Sequence, residues 1–561
     1  MAMTPPRNWD RGLVLLLSGA GLWPFLPALL EGRVPGQKEL PIDGGNGLFI
    51  FALVQDVLAG KASLLHSDAM WFPTGRPFLL AVQNLVDAVA VQPFLLGLGP
   101  SHGLAVFTAL LLVMNGLAGG WMGERVGGRG WSGPAAALVL ALSPYVWGEE
   151  QTGRVTQTIL APICLAVGAS WGAVEQGRGG AKAGGWLALA AAVYWFYGLF
   201  GAVVVAAVFL GALFEAPASW RGPVRGLVLA AVVSAAAVAP FALFTAMSWE
   251  DMAGRAQIES PVPNPTRIFG GLPWQNNPRI VAYVPQLLYG VAALTLLRAH
   301  RRGRAVALVV ATFLLCFTAH GRAVMVLGVP VPSPLQALQA LPGFERFWWP
   351  HRALAGATVA LAVLAALAVQ LPGWIRRLSG VLLLGAAAQG AWVPGVLSGW
   401  YVPPNPFWAR DVGPGAVLFL PMLNPEVGKL RFAEWTWHRR PFVNGMAMWD
   451  EFLWPDEWRR WSSKEPLVST LLDIERGRPH GRLRNAVGLS PAALARLRTV
   501  TIPSITVADL DSLHAQGVDT ILIDKPRTPS ASLSLLTRLA GEPRCDASNR
   551  HCWWRLDEPT P

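Results

Sequence analysis

Charged residues are scarce in this chain. Asp, Glu, Lys and Arg make up only 14% of its 561 residues, whereas hydrophobic residues make up 53%. Ordinary soluble proteins carry about 25% charged residues, so this chain has too few charges to cover a globular surface. Much of the surface therefore faces lipid, and the composition predicts a polytopic α-helical membrane protein.

The motifs of several enzyme classes are also missing. The sequence contains no Walker loop, dinucleotide-binding glycine fingerprint, HExxH motif or serine-nucleophile elbow, so ATP-driven and redox activities have no support. The net charge of +11 does not indicate nucleic-acid binding. The basic excess lies before residue 400, where 25 Lys and Arg stand against 16 Asp and Glu, in loops between apolar segments.

Apolar segments of about 20 residues, the length that crosses a bilayer, predict about eleven transmembrane helices. They are Arg11–Leu30, His102–Met122, Ser132–Trp147, Gln157–Val174, two short spans within Gly184–Phe214, Val224–Thr245, Ile280–Leu297, Ala305–Ala319, Arg352–Leu371 and Leu378–Gly399. We interpret the 31 residues of Gly184–Phe214 as a hairpin that turns near Trp195–Gly198. Only then do all the basic loops fall on one side of the membrane, with the N-terminus inside and the C-terminus outside.

The pattern predicts two domains. Residues 1–399 form a transmembrane domain with a long first outer loop at 32–101, which contains amphipathic stretches at Gly47–Leu58 and Phe78–Leu98. The second stretch is polar enough to be placed along the membrane interface. Residues 400–561 are predicted to form a soluble extracytoplasmic α/β domain.

Within that C-terminal domain, short patterns predict individual elements. They are β-like runs at Ala416–Pro421 and Thr520–Asp524, helix-like runs at Ala492–Leu497 and Val507–Gln516, and a closing hairpin at Cys545–Leu556. Cys545 and Cys552 have no second cysteine pair and no histidine cluster nearby, which argues against a zinc site. Outside the cytoplasm we expect them to form a local disulfide.

Asp43 is the first candidate functional residue, in the segment Pro41-Ile-Asp-Gly-Gly-Asn46. The two glycines predict a tight turn that holds the carboxylate at the membrane face. Asp43 could stabilise this turn, or it could act as a base that accepts a proton from an acceptor hydroxyl.

A second group of candidates follows the third span. Glu149 and Glu150 are paired carboxylates that could bind a divalent cation or sugar hydroxyls, or they could be solvated acids at a helix end. Arg154 and Gln157 are close to them in sequence and could reach a phosphate or a sugar. Arg154 could equally be an interfacial anchor.

A third group lies at the entry to the tenth span, in Glu345-Arg-Phe-Trp-Trp-Pro-His-Arg352. Arg346, His351 and Arg352 would suit the phosphate of an anionic lipid, because guanidinium groups bind phosphate oxygens in a fork. The alternative is that these arginines are snorkelling anchors within an aromatic belt. His320-Gly-Arg322 is a weaker second phosphate candidate on the same side.

The order of these features resembles the GT-C superfamily of glycosyltransferases that use polyprenyl-phosphate sugars. The likeness is closest to the bacterial YfhO-like branch, with the protein mannosyltransferases and aminoarabinose transferases as more distant relatives. It is carried by Asp43, Ala141-Leu-Ser-Pro-Tyr145, Gly153-Arg-Val-Thr-Gln157, Trp195-Phe-Tyr-Gly198, Leu341-Pro-Gly-Phe-Glu-Arg346, Pro350-His-Arg352, Arg440-Pro-Phe-Val-Asn-Gly445 and Gly517-Val-Asp-Thr-Ile-Leu-Ile523.

The resemblance implies an enzyme of the bacterial cytoplasmic membrane that uses a polyprenyl-phosphate-linked sugar and an extracytoplasmic glycan, lipid or protein acceptor. Asp43 matches the family's catalytic base, although relatives often carry a second acid where this chain has Gly44, so Glu149 or Glu150 could share the role. Arg352 and Arg346 match the donor-phosphate region. No cofactor beyond a divalent cation is expected.

Two alternatives from other classes remain open. One is a catalytically inactive GT-C fold that acts as a scaffold or assembly protein through its C-terminal domain. The other is a lipid or sugar transporter, which would need charged or broken helices at mid-membrane. The predicted spans hold few ionisable residues away from their ends, which disfavours transport.

Overall fold

The structure is a computed structural model that describes residues 9–63, 65–77, 85–247, 284–298, 302–321, 323–326, 329–340, 350–391, 399–411, 413–445, 448, 454–477 and 505–557. Its helices are α1 Trp9–Ala20, α2 Leu26–Leu30, α3 Ile42–Leu58, α4 Leu85–Ala90, α5 Gln92–Leu98, α6 Pro100–Gly127, α7 Ser132–Ala141, α8 Pro144–Gln151, α9 Ala161–Gln176, α10 Gly180–Val193, α11 Trp195–Glu215, α12 Arg221–Met247, α13 Leu287–Arg298, α14 Arg302–Ala319, α15 Pro334–Gln339, α16 Leu354–Ala368, α17 Trp374–Ala391, α18 Pro425–His438, α19 Asp456–Lys464, α20 Pro466–Arg476, α21 Val507–Ala515 and α22 Ser530–Ala540. Its strands are β1 His66–Ser67, β2 Arg76–Pro77, β3 Ala323–Val326, β4 Val329–Pro332, β5 Ala416–Leu420, β6 Val518–Asp524, β7 Arg544–Cys545 and β8 His551–Arg555.

The chain divides into two compact units. The first comprises Met1–Glu39, Gln83–Leu243 and Gln257–Tyr401, and the second comprises Leu40–Val82, Phe244–Ala256 and Val402–Pro561. This division differs from the predicted domains because Leu40–Val82, the core of the predicted first outer loop, belongs with the C-terminal residues. The physical reason is that α3 packs against α18, where the Phe49 ring lies 5.1 Å from that of Phe432 and 4.8 Å from that of Trp435.

In the described part of the chain, seven helical stretches are long and apolar enough to cross a membrane. They are Trp9–Leu30, Pro100–Gly127, Val155–Gln176, Trp195–Glu215, Arg221–Leu243, Arg302–Ala319 and Pro350–Ala368. Each coincides with one of the predicted spans, and the total of eleven stays a prediction. The structure is therefore that of a helical membrane protein.

The ambiguous stretch Gly184–Phe214 forms two helices, α10 and α11, which meet at Tyr194 in an extended conformation. A Cβ on Gly198 would lie 2.5 Å from the Cβ of Ala191, and one on Gly201 would lie 2.9 Å from Cδ2 of Leu187. In these contacts the residue numbers rise along α11 as they fall along α10, so the two helices are antiparallel. The helical hairpin that loop charge predicts is present, but its break lies at Tyr194, and Trp195–Gly198, where the turn was expected, begins α11. Two membrane crossings in this stretch stay a prediction.

Close helix packing in the first unit depends on glycines of α6. A Cβ on Gly120 would lie 2.4 Å from Cγ1 of Val14 in α1, and one on Gly123 would lie 2.3 Å from the carbonyl oxygen of Ser132 in α7. Small residues let helix backbones approach closely in membranes. At the centre of the unit, every residue of α16 is buried, as expected of a helix that is apolar all round.

The second unit contains a four-stranded sheet in the order β5-β6-β8-β7. Strands β5 and β6 are parallel, whereas β6–β8 and β7–β8 are antiparallel. The predicted β-like runs, the helix at Val507–Gln516 and the closing hairpin are confirmed. The predicted helix at Ala492–Leu497 lies outside the described residues.

The tight turn predicted at Gly44 and Gly45 is wrong, because both residues lie in the first turns of α3. Pro41 has an extended backbone and caps this helix, and its carbonyl accepts the Gly45 N–H at 3.0 Å. A Cβ on Gly45 would lie 2.2 Å from the carbonyl oxygen of Lys429. Gly45 therefore serves the close approach of α3 to α18 rather than a turn.

The predicted interfacial stretch Phe78–Leu98 forms α4 and α5 from residue 85 onward, and residues 78–84 lie outside the described part. Its polar side chains are buried, since Asp87 is 1% exposed and Gln92 is 5% exposed. Asp87 accepts the Thr156 hydroxyl at 2.6 Å. A partner 69 residues away thus explains Asp87, whereas Gln92 donates to the carbonyl of Ala88 within the same stretch at 2.7 Å.

Candidate functional site

Four segments of the first unit meet in one polar cluster. They are the end of α8, the 3-10 turn Val155–Thr158, the junction at Tyr194 and the 3-10 turn Pro350–Ala353 before α16. All four are ends or interruptions of helices, where backbone groups lack partners within the helix and side chains can satisfy them.

The end of α8 sets the local backbone. The hydroxyl of Ser143 caps the helix at the Val146 N–H, 3.5 Å away, with Pro144 in the first turn, a favoured start. After the helix ends, the carbonyl of Glu149 accepts the Thr152 hydroxyl at 2.8 Å and the Arg154 N–H at 3.0 Å. The chain therefore folds back and places Arg154 beside Glu149.

Glu149 is the centre of the cluster. Its Oε1 is 2.9 Å from Nε2 of His351 and its Oε2 is 3.3 Å from Nη1 of Arg154, while its side chain is only 1% exposed. Glu149 lies beyond the apolar spans. Burial would raise the pKa of this carboxyl, but Arg154 and the hydrogen bond with His351 outweigh burial and lower the pKa to about 2.

Arg352 contacts the junction of α10 and α11. Its Nη1 donates a hydrogen bond to the hydroxyl of Tyr194, and its guanidinium carbon lies 4.8 Å from the centroid of the same ring, within range of a cation–π interaction. Arg352 is 8% exposed. A buried guanidinium is thus fixed against an aromatic face.

Two further tyrosines continue the network. The hydroxyl of Tyr197 donates to the backbone carbonyl of Gln157, and the hydroxyls of Tyr145 and Tyr197 are 2.6 Å apart. Because Tyr197 donates its only hydroxyl proton to the carbonyl, Tyr145 is the donor in the hydrogen bond between the two hydroxyls. These hydrogen bonds connect α8 and α11 to the 3-10 turn that follows Arg154.

Sequence reasoning missed these tyrosines as site residues. The signal available was their rarity, since the chain has six tyrosines and Tyr145, Tyr194 and Tyr197 all lie here. Two of them stand in segments that carry the family resemblance. In an apolar stretch a tyrosine is ordinarily taken for packing, and only the folded chain shows the hydroxyls converging.

Glu150 differs from its neighbour. It is fully buried, and in the part of the chain that the structure describes neither carboxylate oxygen has a hydrogen-bond partner. Glu150 also lies beyond the apolar spans, and burial raises its pKa to about 8. Adjacent glutamates are thus held in opposite protonation states at neutral pH.

The structure brings together most of the predicted site residues of the first unit: Glu149, Arg154, Gln157, His351 and Arg352. Arg346 lies outside the described residues. Among the described residues no group of three or more His, Cys, Asp and Glu is arranged to hold a metal ion, and the divalent cation at Glu149 and Glu150 stays a prediction.

Two predicted sites belong to the second unit. Asp43 lies in the first turn of α3, where the helix dipole stabilises a negative charge. Cys545 and Cys552 face each other across β7 and β8 and are joined by a disulfide.

Comparisons with known proteins place the fold. No protein-family model matches the chain, and no curated protein matches it. Among solved structures, the chain is similar to the arabinofuranosyltransferase AftD from Mycobacteria, with a TM-score of 0.54 and 16% identity over 99% of this chain and 40% of AftD. The chain thus spans less than half the length of that protein.

Two other solved structures align over nearly the whole chain. ArnT from Cupriavidus metallidurans in the apo state has a TM-score of 0.49 and 13% identity over 98% of this chain and 99% of its own. The archaeal oligosaccharyltransferase AglB from Archaeoglobus fulgidus has a TM-score of 0.47 and 9% identity over 99% and 75%. The likeness to AftD shows that the two proteins share a fold.

Proposed function

We propose that this protein is a membrane glycosyltransferase that transfers a sugar from a polyprenyl-phosphate donor to an extracytoplasmic glycan, lipid or protein acceptor. The observation that carries the proposal is the buried cluster of Arg352, His351 and Arg154 at the helix ends of a GT-C fold. Three basic side chains in one buried place suit the phosphate of an anionic donor.

In this proposal the three basic groups bind the donor phosphate, with Arg346 as a fourth contact. Guanidinium groups hold phosphate oxygens in a fork, and their attraction is stronger in a buried site than in water. Their positive charge also stabilises the phosphate that leaves, which is where negative charge develops in the transition state. Gln157 is assigned to the sugar hydroxyls.

The proposed chemistry is an inverting displacement. The carboxylate of Asp43 takes the proton from an acceptor hydroxyl, and the acceptor oxygen forms a bond to the anomeric carbon. The bond between that carbon and the phosphate oxygen breaks, and the polyprenyl phosphate leaves with the electron pair. Asp43 lies in the first turn of α3, where the helix dipole favours a negative charge.

One observation favours a second candidate, an inactive scaffold. Arg154 and His351 already contact Glu149, and Arg352 contacts Tyr194. A network that satisfies itself in this way could hold the helices together without any ligand. The scaffold would use the second unit as its interaction surface.

The test is a transfer assay with full-length protein in lipid nanodiscs and radiolabelled polyprenyl-phosphate sugars. Asp43→Asn keeps the size of the side chain and removes its charge, so we expect transfer to fall by about 10²–10⁴ with unchanged thermal unfolding. Arg352→Ala should raise the KM for the donor, because the phosphate is present before the reaction begins.

Asp56→Asn is the matched control, since Asp56 is another carboxylate of α3 and pairs with Arg439 at 3.8 Å. It should retain transfer activity. Full activity in Asp43→Asn would show that Asp43 is not the base. Label that stays on the lipid with every acceptor would instead favour the scaffold.

A further inference from the structure

We infer that Glu149 is a positioning residue, whose two carboxylate oxygens hold His351 and Arg154 in place to bind the donor phosphate. The inference rests on the proposed function, because it takes that phosphate as the ligand of the two cations. It gives Glu149 a role different from the sugar or metal contact that the sequence alone indicated.

The geometry separates Glu149 from a direct ligand contact. One oxygen is 2.9 Å from His351, which lies 202 residues away in the chain, and the other is 3.3 Å from Arg154, five residues away. The side chain is 1% exposed, so it presents no surface to a sugar hydroxyl. Arg154 and His351 are more exposed, at 13% and 14%, and are the groups that a ligand would meet.

The carboxylate also resolves an electrostatic problem. Arg154 and Arg352 carry like charge in a buried place, where repulsion is strong. The carboxylate of Glu149 lowers that repulsion, and its contacts with Arg154 and His351 orient both side chains. Replacing Glu149 removes this contact from both side chains at once, and breaking a buried charge pair is far more costly than breaking a pair on the surface.

Glutamine at this position would break the arrangement in a defined way. The one amide oxygen of glutamine can accept a hydrogen bond from only one of Arg154 and His351, while its NH2 group faces the other as a donor. One of the two basic groups therefore loses its anchor. Aspartate keeps the charge but is one methylene shorter, so it should restore part of the function.

Rescue by the conservative variant supplies a readout that a merely structural role would not move. Glu149→Asp keeps the negative charge that Arg154 and His351 contact, whereas Glu149→Gln removes it. The positioning role therefore predicts that the aspartate variant binds the phosphate better than the glutamine variant does.

The experiment measures binding of undecaprenyl phosphate to full-length protein in detergent micelles, with undecaprenol as the uncharged comparison. Glu149→Gln should weaken binding by about tenfold or more, the size of effect seen when the residues that orient metal ligands are removed. Glu149→Asp should bind with intermediate affinity, and it supplies the test if the glutamine variant fails to fold.

Glu215→Gln is the matched control in the same unit. Glu215 is also a carboxylate paired with an arginine, at 2.9 Å from Nε of Arg304, so its loss reproduces any general destabilisation. We expect it to leave undecaprenyl phosphate binding unchanged. An equal loss of binding in both glutamine variants would overturn the positioning role.

The remaining outcomes separate the inference from the proposed function. If Glu149→Gln and Glu149→Asp bind like the wild type while Arg352→Ala loses binding, the positioning role is overturned and the donor site stands. If the wild type does not distinguish undecaprenyl phosphate from undecaprenol, the proposed function fails. A Glu149→Gln/Arg154→Gln double variant should bind no worse than the weaker single variant, because coupled residues are not additive.

Discussion

His438 gives the second unit a pH-dependent stability that can be calculated from the structure. It is the last residue of α18, where its ring lies 5.0 Å from that of Trp408 and 5.3 Å from that of Phe442, and its Nδ1 accepts the Arg440 N–H at 3.1 Å. Burial, reinforced by the charges of Arg440 and Arg431, lowers the pKa of His438 to about 3.

The sign of the effect follows from proton binding. A histidine in the unfolded chain has a pKa of about 6.5, so between pH 6.5 and pH 3 the unfolded state binds more protons than the folded state. The stabilising contribution of neutral His438 is therefore complete above pH 6.5 and is lost as the pH falls through that window. Between pH 8 and pH 5 the loss amounts to about 2 kcal/mol.

Glu475 acts in the opposite direction. Burial outweighs its hydrogen bonds from the Leu423 and Met422 N–H groups and raises its pKa to about 7. The folded state then binds more protons between the unfolded pKa and pH 7, so this group stabilises the fold by about 2.5 kcal/mol more at pH 5 than at pH 8. The two contributions nearly cancel, and the wild-type pH profile alone reveals neither.

The assay is therefore a comparison of variants, with unfolding of the full-length protein followed by tryptophan fluorescence at pH 8 and pH 5. His438→Asn keeps an oxygen for the Arg440 N–H but cannot titrate, so its stability deficit relative to wild type should shrink by about 2 kcal/mol at pH 5. Glu475→Gln should change its deficit with the opposite sign. An equal deficit of His438→Asn at both pH values would refute the reasoning.

The remaining predictions concern packing and the disulfide. Gly45→Ala should destabilise the protein by about 1–3 kcal/mol because the new Cβ meets the α18 backbone. Gly47→Ala on the same helix has open space around it and should be neutral or stabilise by about 0.5–1 kcal/mol. Thermal unfolding of both variants tests this, and equal effects would contradict the close approach of α3 to α18. Mass spectrometry without reduction should find Cys545 and Cys552 joined in protein from its native membrane, and replacing both with alanine should cost roughly 2–3 kcal/mol. Two free thiols would contradict the extracytoplasmic location.

Much of the fold could be predicted from local properties of the sequence. The seven apolar stretches follow from length and composition, and the presence of a hairpin within Gly184–Phe214, though not its break at Tyr194, follows from the placement of basic loops. The strands at Ala416–Leu420 and Val518–Asp524 follow from short β-branched and apolar runs. Each of these inferences uses residues that are close together in the chain.

The features that could not be predicted depend on distant partners. Gly45 looked like a turn residue because its neighbour is also glycine, but its role is set by Lys429, almost 400 residues later. Asp87 looked like an interfacial residue, but its hydroxyl partner Thr156 lies in another segment. A glycine or a buried acid has no local signature that distinguishes these roles.

Glu149 and Glu150 are the sharpest example, because no property of the sequence distinguishes two adjacent glutamates. On a helix, neighbouring side chains point about 100° apart, so one step along the chain is enough to change every contact. Glu149 points to His351 and Arg154 and is held ionised, whereas Glu150 is fully buried without a hydrogen-bond partner among the described residues. At neutral pH only Glu149 can therefore serve as a fixed negative charge. If the base were one of this pair instead of Asp43, it would have to be Glu150, whose pKa of about 8 is suited to exchanging a proton. Glu149 could not serve, because its proton affinity is too low to retain a proton.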